Sequence, residues 1–166
     1  MNRVILEVGS RIILKQYIAE DADVIFQLID DSRAHLSQYG DITADKYPAA
    51  DTVRRSIVQP YNPERLRLGI WEGSIFVGGI NITPNNKDKL SVELGYWLGQ
   101  RHQGQGYIKQ SVNRLIKYVF DETEIQLIYA ITSQKNVRSK NVLVNCGFSQ
   151  KQDASICDDV FYLKKK

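Results

Sequence analysis

Apolar and polar residues recur along the chain with two periods, and each period predicts one kind of element. Residues 90–98 alternate with a period of two, which is typical of a strand; Glu93 and Trp97 share one face, and Leu94 and Tyr96 share the other. Elsewhere apolar residues recur every three or four positions, which is typical of an amphipathic helix. The predicted strands are 10–17, 65–72, 74–83, 90–98, 125–132 and 158–164, and the predicted helices are 20–30, 52–59, 107–120 and 136–145.

Turn residues separate these elements. The dipeptide at 72–73 predicts a hairpin, and the polar run at 84–89 predicts a second turn. Residues 39–49 contain turn residues without a period, so we predict a loop there. Asp51 is predicted to cap the helix that follows it, and Gly147 is predicted to lie just past the C-terminal end of the last helix.

The order of the elements predicts the fold class. Helices come first, then an antiparallel meander, and then strand, helix, strand, helix and strand in alternation. This order is typical of an α/β (α+β) fold with a mixed central sheet flanked by helices. No internal repeat and no linker interrupts the pattern, so residues 1–166 are predicted to form a single domain.

Composition and charge narrow the classes of function. The net charge is only +3 and the 22 basic residues are dispersed, so we expect no nucleic-acid partner. Two cysteines and two histidines form neither a disulfide framework nor a metal-binding spacing. No secretory pattern and no membrane-spanning apolar run is present, so we expect a cytoplasmic protein that does not insert into a membrane.

The segment RHQGQG at residues 101–106 lies where a predicted strand passes into a predicted helix. Helix N-termini carry unpaired N–H groups, and glycines let the main chain approach a ligand, so this turn can hold a phosphate. It lacks the Gly-Lys-Ser/Thr ending of a Walker loop, and Lys109 replaces the third glycine of a dinucleotide fingerprint. From this segment alone, a phosphate cradle and a tight structural turn are equally compatible.

A wider pattern resembles the GNAT superfamily of N-acetyltransferases. The Arg-X-X-Gly-X-Gly motif at 101–106 follows a Gly-Tyr-Trp strand segment at 95–97, and it resembles the cofactor-binding motif of that family. Asn136 and Ser139, followed by Gly147-Phe148, resemble the next conserved block. The combination is similar to the branch that acetylates the N-termini of ribosomal proteins, and the resemblance spans about residues 91–148.

The resemblance implies acetyl-CoA as cofactor. Main-chain amides of 103–108, with the cation of Arg101, would meet the pyrophosphate, and the pantetheine arm would pair with the strand ending at Trp97-Leu98. In the family this strand and the one matching 125–132 splay apart and leave room for such pairing. The residues assigned to the cofactor are Trp97, Leu98, Arg101, Gln103, Gly104, Gln105, Gly106, Tyr107, Ile108 and Asn136.

The resemblance also implies catalytic roles. Glu93 is the candidate base that removes a proton from the acceptor amine, or it is an ordinary strand carboxylate. The position that often holds a tyrosine acid is Leu143, which cannot donate a proton, so Ser139 is the candidate that serves the leaving thiolate. Ser139 could instead satisfy local backbone, Asn136 could cap the helix, and Tyr96 is expected to pack.

The implied acceptor is a primary amine: a protein N-terminus, a polyamine, an aminoglycoside or another small amine. Acidic residues between 30 and 50 could attract a cationic amine, but we favour the interpretation that they are the ordinary charges of a loop. These residues are Asp30, Asp31, Asp41 and Asp45. A homodimer is compatible with the sequence. Two alternatives stay open: a non-catalytic acyl-CoA-binding regulator of the same fold, and an interaction domain without a cofactor.

Overall fold

The computed structural model describes residues 3–151 and 158–166, through which a single eight-stranded sheet runs. The strands are β1 (Ile5–Val8), β2 (Ile12–Gln16), β3 (Leu66–Glu72), β4 (Ile75–Pro84), β5 (Ser91–Leu98), β6 (Leu127–Thr132), β7 (Ser149–Lys151) and β8 (Asp159–Lys164). The α-helices are α1 (Ala22–Asp31), α2 (Arg33–Leu36), α3 (Thr43–Lys46), α4 (Ala50–Val58), α5 (Tyr107–Glu122) and α6 (Val137–Asn145). Short 3₁₀ turns cover Ala19–Asp21 and Gln100–His102.

The sheet has the order β1-β2-β3-β4-β5-β6-β8-β7, and every neighbouring pair is antiparallel except β5 and β6. These two strands are parallel and pair only over Ser91 to Glu93, opposite Leu127 to Tyr129. Beyond that point they separate, although β5 continues to Leu98 and β6 to Thr132. The predicted mixed, mostly antiparallel sheet with a splayed strand pair is therefore confirmed.

Helices cover both faces of the sheet, and each face has its own apolar core. On one face, α5 and α6 bury Val112, Leu115 and Leu143 against the strands. On the other face, α1 and α4 bury Ile25 and Val53 in a smaller core. Two separate cores leave the gap between β5 and β6 without packing of its own.

The sequence patterns predicted most elements, and the structure corrects several details. Gly73 has a positive φ of 58° in the β3–β4 hairpin, and Gly147 has a φ of 90° after α6, as predicted. The loop prediction for 39–49 was wrong in part, because α3 lies inside it. The capping prediction for Asp51 was also wrong: the N-cap of α4 is Ala49, and the Asp51 carboxylate forms an ion pair with Arg55 at 3.1 Å.

Strands β1 and β7 were not predicted. β1 is four residues long and is held by pairing with β2, from Ile5 opposite Lys15 to Val8 opposite Ile12. Among the helices of the described residues, none is long and apolar enough to cross a membrane.

Candidate active site

A cleft of about 360 Å³ opens where β5 and β6 separate. One wall is formed by the middle of β5 and the end of β6, and α6 closes one side with Asn136 and Ser139. The cleft continues across the sheet to β3, where Arg65 and Arg67 line it, and to the segment around α3. It therefore joins the strand gap to a second compartment on the other face of β5.

The gap exposes unpaired main-chain groups of β5. Gly99 N donates to Val77 O at 2.9 Å, and Ser91 O accepts from Asn85 N at 3.1 Å, so these residues direct their main-chain groups toward β4. In an antiparallel pair, alternate residues direct both main-chain groups to the same neighbour. Because the β4–β5 register is continuous and the β5–β6 pairing ends at Glu93, the main-chain groups of Tyr96 and Leu98 face the gap.

The glycine turn joins the gap to the first turn of α5. Gly104 and Gly106 have φ angles of 78° and 76°, a conformation that other L-residues rarely adopt. Gly106 is the N-cap of α5, so the N–H groups that follow it lie at the positive end of the helix dipole. A Cβ built on Gly104 meets no atom within 4 Å, so the main chain there is open to an approaching anion.

The Gln103 side chain connects the glycine turn to its surroundings. Its amide nitrogen lies 3.4 Å from Leu98 O and 3.1 Å from His35 Nε2, and its Oε1 accepts a hydrogen bond from Arg138 Nη1 at 2.7 Å. With the amide nitrogen as donor, His35 Nε2 must be the unprotonated acceptor. Burial, and secondly the charge of Arg138, lower the pKa of His35, which favours that neutral form.

Arg101 lies apart from the cleft. Its side chain is 79% exposed and Nη2 lies 3.3 Å from the Asp31 carboxylate. It lines a separate surface depression with Leu28 and Ile75. In this conformation its charge is paired at the surface, whereas Arg138 donates a hydrogen bond to Gln103 beside the glycine turn.

Ser139 is positioned by two neighbours at the start of α6. Its N–H donates to Asn136 Oδ1 at 3.1 Å, so Asn136 is the helix cap. Its hydroxyl lies 2.8 Å from the Tyr96 hydroxyl, which reaches across from β5. Burial raises the pKa of Tyr96 to about 12, and the hydrogen bond to Ser139 offsets this only in part. Tyr96 is therefore protonated at neutral pH and can donate to Ser139 Oγ or to Ser139 O, which lies 3.3 Å from its hydroxyl.

Leu143, at the position where the tyrosine acid was considered, is fully buried in the core. Glu93 is half-buried and lines the cleft on β5, directly opposite Tyr129 of β6. Among residues 3–151 and 158–166, its carboxylate forms no ion pair and no side-chain hydrogen bond. A carboxylate that is half-buried, unpaired and in a cleft is able to accept a proton.

The last two residues of β5 point to opposite cores. The Trp97 ring lies on the second compartment's side, 5.7 Å from the Phe76 ring, and a Cβ on Gly79 would come within 2.6 Å of its Nε1. Leu98 is buried in the larger core, so only its main chain is available at the gap. Tyr107 and Ile108 are likewise buried, while Gln105 is exposed in the glycine turn.

The domain model that describes an acetyltransferase (GNAT) domain matches residues 11–149. The chain belongs to this family. GNAT enzymes use acetyl-CoA, so this chain is an acetyl-CoA-dependent acyltransferase, and the resemblance described from its motifs is confirmed.

Individual relatives of this acetyltransferase are distant. YdaF of Bacillus subtilis (strain 168), provisionally named a ribosomal N-acetyltransferase, is 26% identical over 153 residues, which are 89% of this chain and 83% of that protein. The ribosomal-protein-serine acetyltransferase of Escherichia coli (strain K12) is 36% identical, but only over 67 residues, 40% of this chain and 36% of that protein.

Two solved structures share the fold. RimL, a ribosomal L7/L12 alpha-N-protein acetyltransferase in complex with coenzyme A, superposes with a TM-score of 0.85 at 17% identity, over 97% of this chain and 98% of that one. The microcin C7 self-immunity acetyltransferase MccE, in complex with acetyl-CoA and AMP, gives 0.82 at 20% identity, over 95% and 94% of the two chains. At these identities the likeness concerns the fold.

Several residues of this acetyltransferase site were missed or misjudged from the sequence. Tyr96 was assigned to packing, yet its hydroxyl contacts Ser139 from 43 residues away. Arg138 and His35 were not considered, although they hold Gln103. The acidic residues considered as an attraction for the acceptor lie mostly outside the cleft, since only Asp41 of that group lines it, which agrees with ordinary loop charge for the others. No local sequence signal could have shown these long-range contacts.

Proposed function

We propose that this acetyltransferase modifies the N-terminal amine of a protein or peptide. The observation that carries the proposal is the open gap between β5 and β6. Glu93, Tyr96 and Ser139 line the cleft at this gap, and the chain runs from the end of β5 at Leu98 through the glycine turn to the N-terminus of α5. Relatives named for ribosomal N-terminal acetylation support a peptide acceptor.

The chain has the features needed to hold acetyl-CoA, which supplies the acetyl group as a thioester. The N–H groups of residues 103–108 and the side chain of Arg138 bind the phosphates, since they stand at the helix N-terminus without bulky cover at Gly104. The main chain of β5 at Tyr96 and Leu98 binds the pantetheine amides in place of a neighbouring strand. Asn136 takes part through the amide edge that its capping bond leaves free.

Glu93 accepts the proton of the acceptor's ammonium group. An amine with a pKa of about 8 to 10 is mostly protonated at neutral pH, so the nucleophile must lose a proton before it attacks. The Glu93 carboxylate is available for this because no described side chain forms an ion pair or hydrogen bond with it, and it lies on the face of β5 that borders the second compartment. A main-chain N–H of β5 that faces the gap donates to the carbonyl oxygen as negative charge develops there.

Ser139 donates a hydrogen bond to the departing sulfur. When Tyr96 donates to Ser139 Oγ, the serine hydroxyl proton is free to point elsewhere, and Ser139 lines the cleft. Complete proton transfer from either hydroxyl is uphill, because a thiol ionises near about pH 8.5 and the pKa of Tyr96 is about 12. The pair therefore stabilises the leaving thiolate by hydrogen bonding, and solvent supplies the final proton.

The test is thiol release from acetyl-CoA with peptides that have a free N-terminus and with the same peptides blocked at the N-terminus. Polyamine and aminoglycoside acceptors form a parallel panel. We expect turnover with free peptides and none with blocked ones, with the acetyl group found on the α-nitrogen by mass spectrometry. Turnover confined to the small amines would reject the peptide acceptor. Binding of acetyl-CoA without turnover on any acceptor would identify a non-catalytic regulator instead.

A further inference from the structure

Two arginines line the second compartment of the cleft from the same face of β3. Arg67 lies within β3 and Arg65 immediately precedes it, so their side chains share one face of the sheet. Arg67 is opposite Asn81 of β4, and Asn81 is opposite Gly95 of β5. The paired residues Arg67, Asn81 and Gly95 form the floor of the compartment. Gly95 leaves space above this floor because it has no side chain.

Neither arginine has an acidic partner in the part of the chain that the structure describes, 3–151 and 158–166. Arg67 donates to neutral acceptors only: Ser56 O at 3.0 Å, Ser56 Oγ at 3.2 Å and the Tyr47 hydroxyl at 3.2 Å. Arg65 donates through Nε to Asn81 Oδ1 at 3.1 Å, and its two Nη groups form no hydrogen bond with the described residues. The Nε bond orients the guanidinium and leaves its fork of donors available.

The arrangement of charges favours an anion at this fork. Partial burial, and secondly the charge of Arg67, lower the pKa of Arg65 below its ordinary value. Lys46 adds a third cation to the same compartment. Three acids also line the cleft, namely Asp41, Glu93 and Asp158. None lies within 4.0 Å of these cations, and the charge of Glu93 offsets the lowering of the Arg65 pKa only in part. An anion bound at Arg65 would relieve the repulsion between the two guanidinium groups.

The position of Glu93 sets the distance from this fork to the reacting amine. Arg65 continues the register of β3 and so lies opposite Thr83 of β4, which pairs with Glu93 of β5. Two strand spacings separate Arg65 from Glu93, about 10 Å between their backbones. An extended peptide advances about 3.3 Å per residue, so an amine at Glu93 brings the second or third side chain of the acceptor to Arg65.

We propose that Arg65 and Arg67 form an anion subsite that selects acceptors carrying an acidic group within two or three residues of the amine. This inference rests on the proposed function, since it places the amine at Glu93. Arg65 makes the direct contact through its free fork, which matches a carboxylate or phosphate. Arg67 is held by Ser56 and Tyr47 and contributes mainly its charge. This subsite favours an acceptor that carries an anionic group in addition to its amine.

The experiment compares pairs of pentapeptide acceptors that differ only by glutamate or glutamine at the second or third position. A second pair, phosphoethanolamine and ethanolamine, tests a small acceptor with the same kind of charge. We expect the anionic member of a pair to have about a tenfold higher kcat/KM, the usual worth of one charge-assisted hydrogen bond. The ratio should fall as ionic strength rises. A preference for the glutamate peptides identifies a peptide carboxylate as the anion. A preference for phosphoethanolamine over ethanolamine identifies the anionic group of a small acceptor.

The variant Arg65→Gln should reduce this ratio to about one, because glutamine keeps a polar side chain but loses the charged fork. The matched control is Arg55→Gln, which removes an exposed cation of α4 outside the cleft and should keep the ratio. Calorimetric titration with acetyl-CoA checks that both variants fold and bind the donor. Equal kcat/KM within every wild-type pair, or a ratio that survives in Arg65→Gln, would overturn the subsite.

Failure of the proposed function can be distinguished from failure of the anion subsite. If no acceptor is turned over, the peptide pairs are titrated by calorimetry into the protein saturated with coenzyme A. Tighter binding of the glutamate peptide that disappears in Arg65→Gln supports the subsite even without catalysis. Equal binding of both peptides contradicts it. Turnover of neutral peptides without any charge preference retains the peptide N-acetyltransferase and rejects the subsite alone.

Discussion

Replacing Tyr96 with phenylalanine tests the pair that is proposed to serve the leaving sulfur. The change removes one hydroxyl and keeps the ring, so the packing of Tyr96 between β5 and α6 is preserved. It deletes the 2.8 Å hydrogen bond to Ser139 Oγ. A neutral hydrogen bond contributes about 1 kcal/mol net, so the melting temperature should fall by roughly 2 to 4 °C in a chain of this size. This part of the effect is expected whether or not Tyr96 matters for catalysis.

The catalytic effect is separate from the effect on stability. Proton-handling groups typically contribute about 10²- to 10⁴-fold to rate, and here Tyr96 only orients the group that touches sulfur. We therefore expect kcat to fall on the order of tenfold in Tyr96→Phe and on the order of a hundredfold in Ser139→Ala, with KM for acetyl-CoA little changed. The double variant should match Ser139→Ala, because Tyr96 has no hydroxyl left to orient.

The assay is steady-state thiol release with a peptide acceptor for the wild type, both single variants and the double variant, each with its melting temperature. Losses in kcat that multiply in the double variant would show that the two hydroxyls act independently. A wild-type kcat in Tyr96→Phe, accompanied by the expected loss of stability, would refute the orienting role and leave the hydrogen bond as a purely structural feature.

Three further predictions concern the donor turn, the base and pH. Gly104→Glu should abolish coenzyme A binding in calorimetry, because it strains a φ of 78° and adds negative charge; Gly104→Asn, which tolerates that φ, should retain much of it. Glu93→Gln should lower kcat on the order of a hundredfold near pH 7 and less near pH 10, where the amine is already neutral; a constant ratio across pH would refute the base. Because the pKa of His35 is lowered in the folded state, the unfolded chain binds more protons, so stability should fall as pH drops below about 6.5. Affinity for coenzyme A should fall over the same pH range, because protonated His35 no longer accepts the hydrogen bond from Gln103 beside the glycine turn. His35→Asn should make both the stability, measured by thermal melts, and the affinity, measured by calorimetry, less dependent on pH.

Local patterns predicted those parts of the molecule whose structure depends on neighbours in sequence. The β3–β4 hairpin and the glycine turn before α5 follow from short-range period, glycine positions and helix-end chemistry. Asp51 shows the limit of such signals, because an acid near a helix start is favourable at several positions of the first turn. It is the second residue of α4 rather than its N-cap, which is Ala49.

Contacts between distant segments could not be predicted from one sequence. From the sequence alone Tyr96 is predicted to pack; only the position of α6 shows that Ser139 contacts its hydroxyl. From the sequence alone Arg65 is an ordinary charge at a strand end; the sheet places Asn81 beside it and no described acid within 4.0 Å of it. Strand β1 is too short to be recognised by its alternation, since pairing with β2 is what holds it extended.

The separation of β5 from β6 has a consequence for how enzymes with this architecture can diversify. The hydrogen-bonding groups in the gap belong to the peptide backbone, and no single substitution deletes them unless it introduces proline. Mutations at outward positions such as Asn81 and Arg65 can therefore change which amine is accepted while the donor keeps its place. Acceptor specificity can therefore change through successive single substitutions, each of which leaves the binding of the acetyl donor intact.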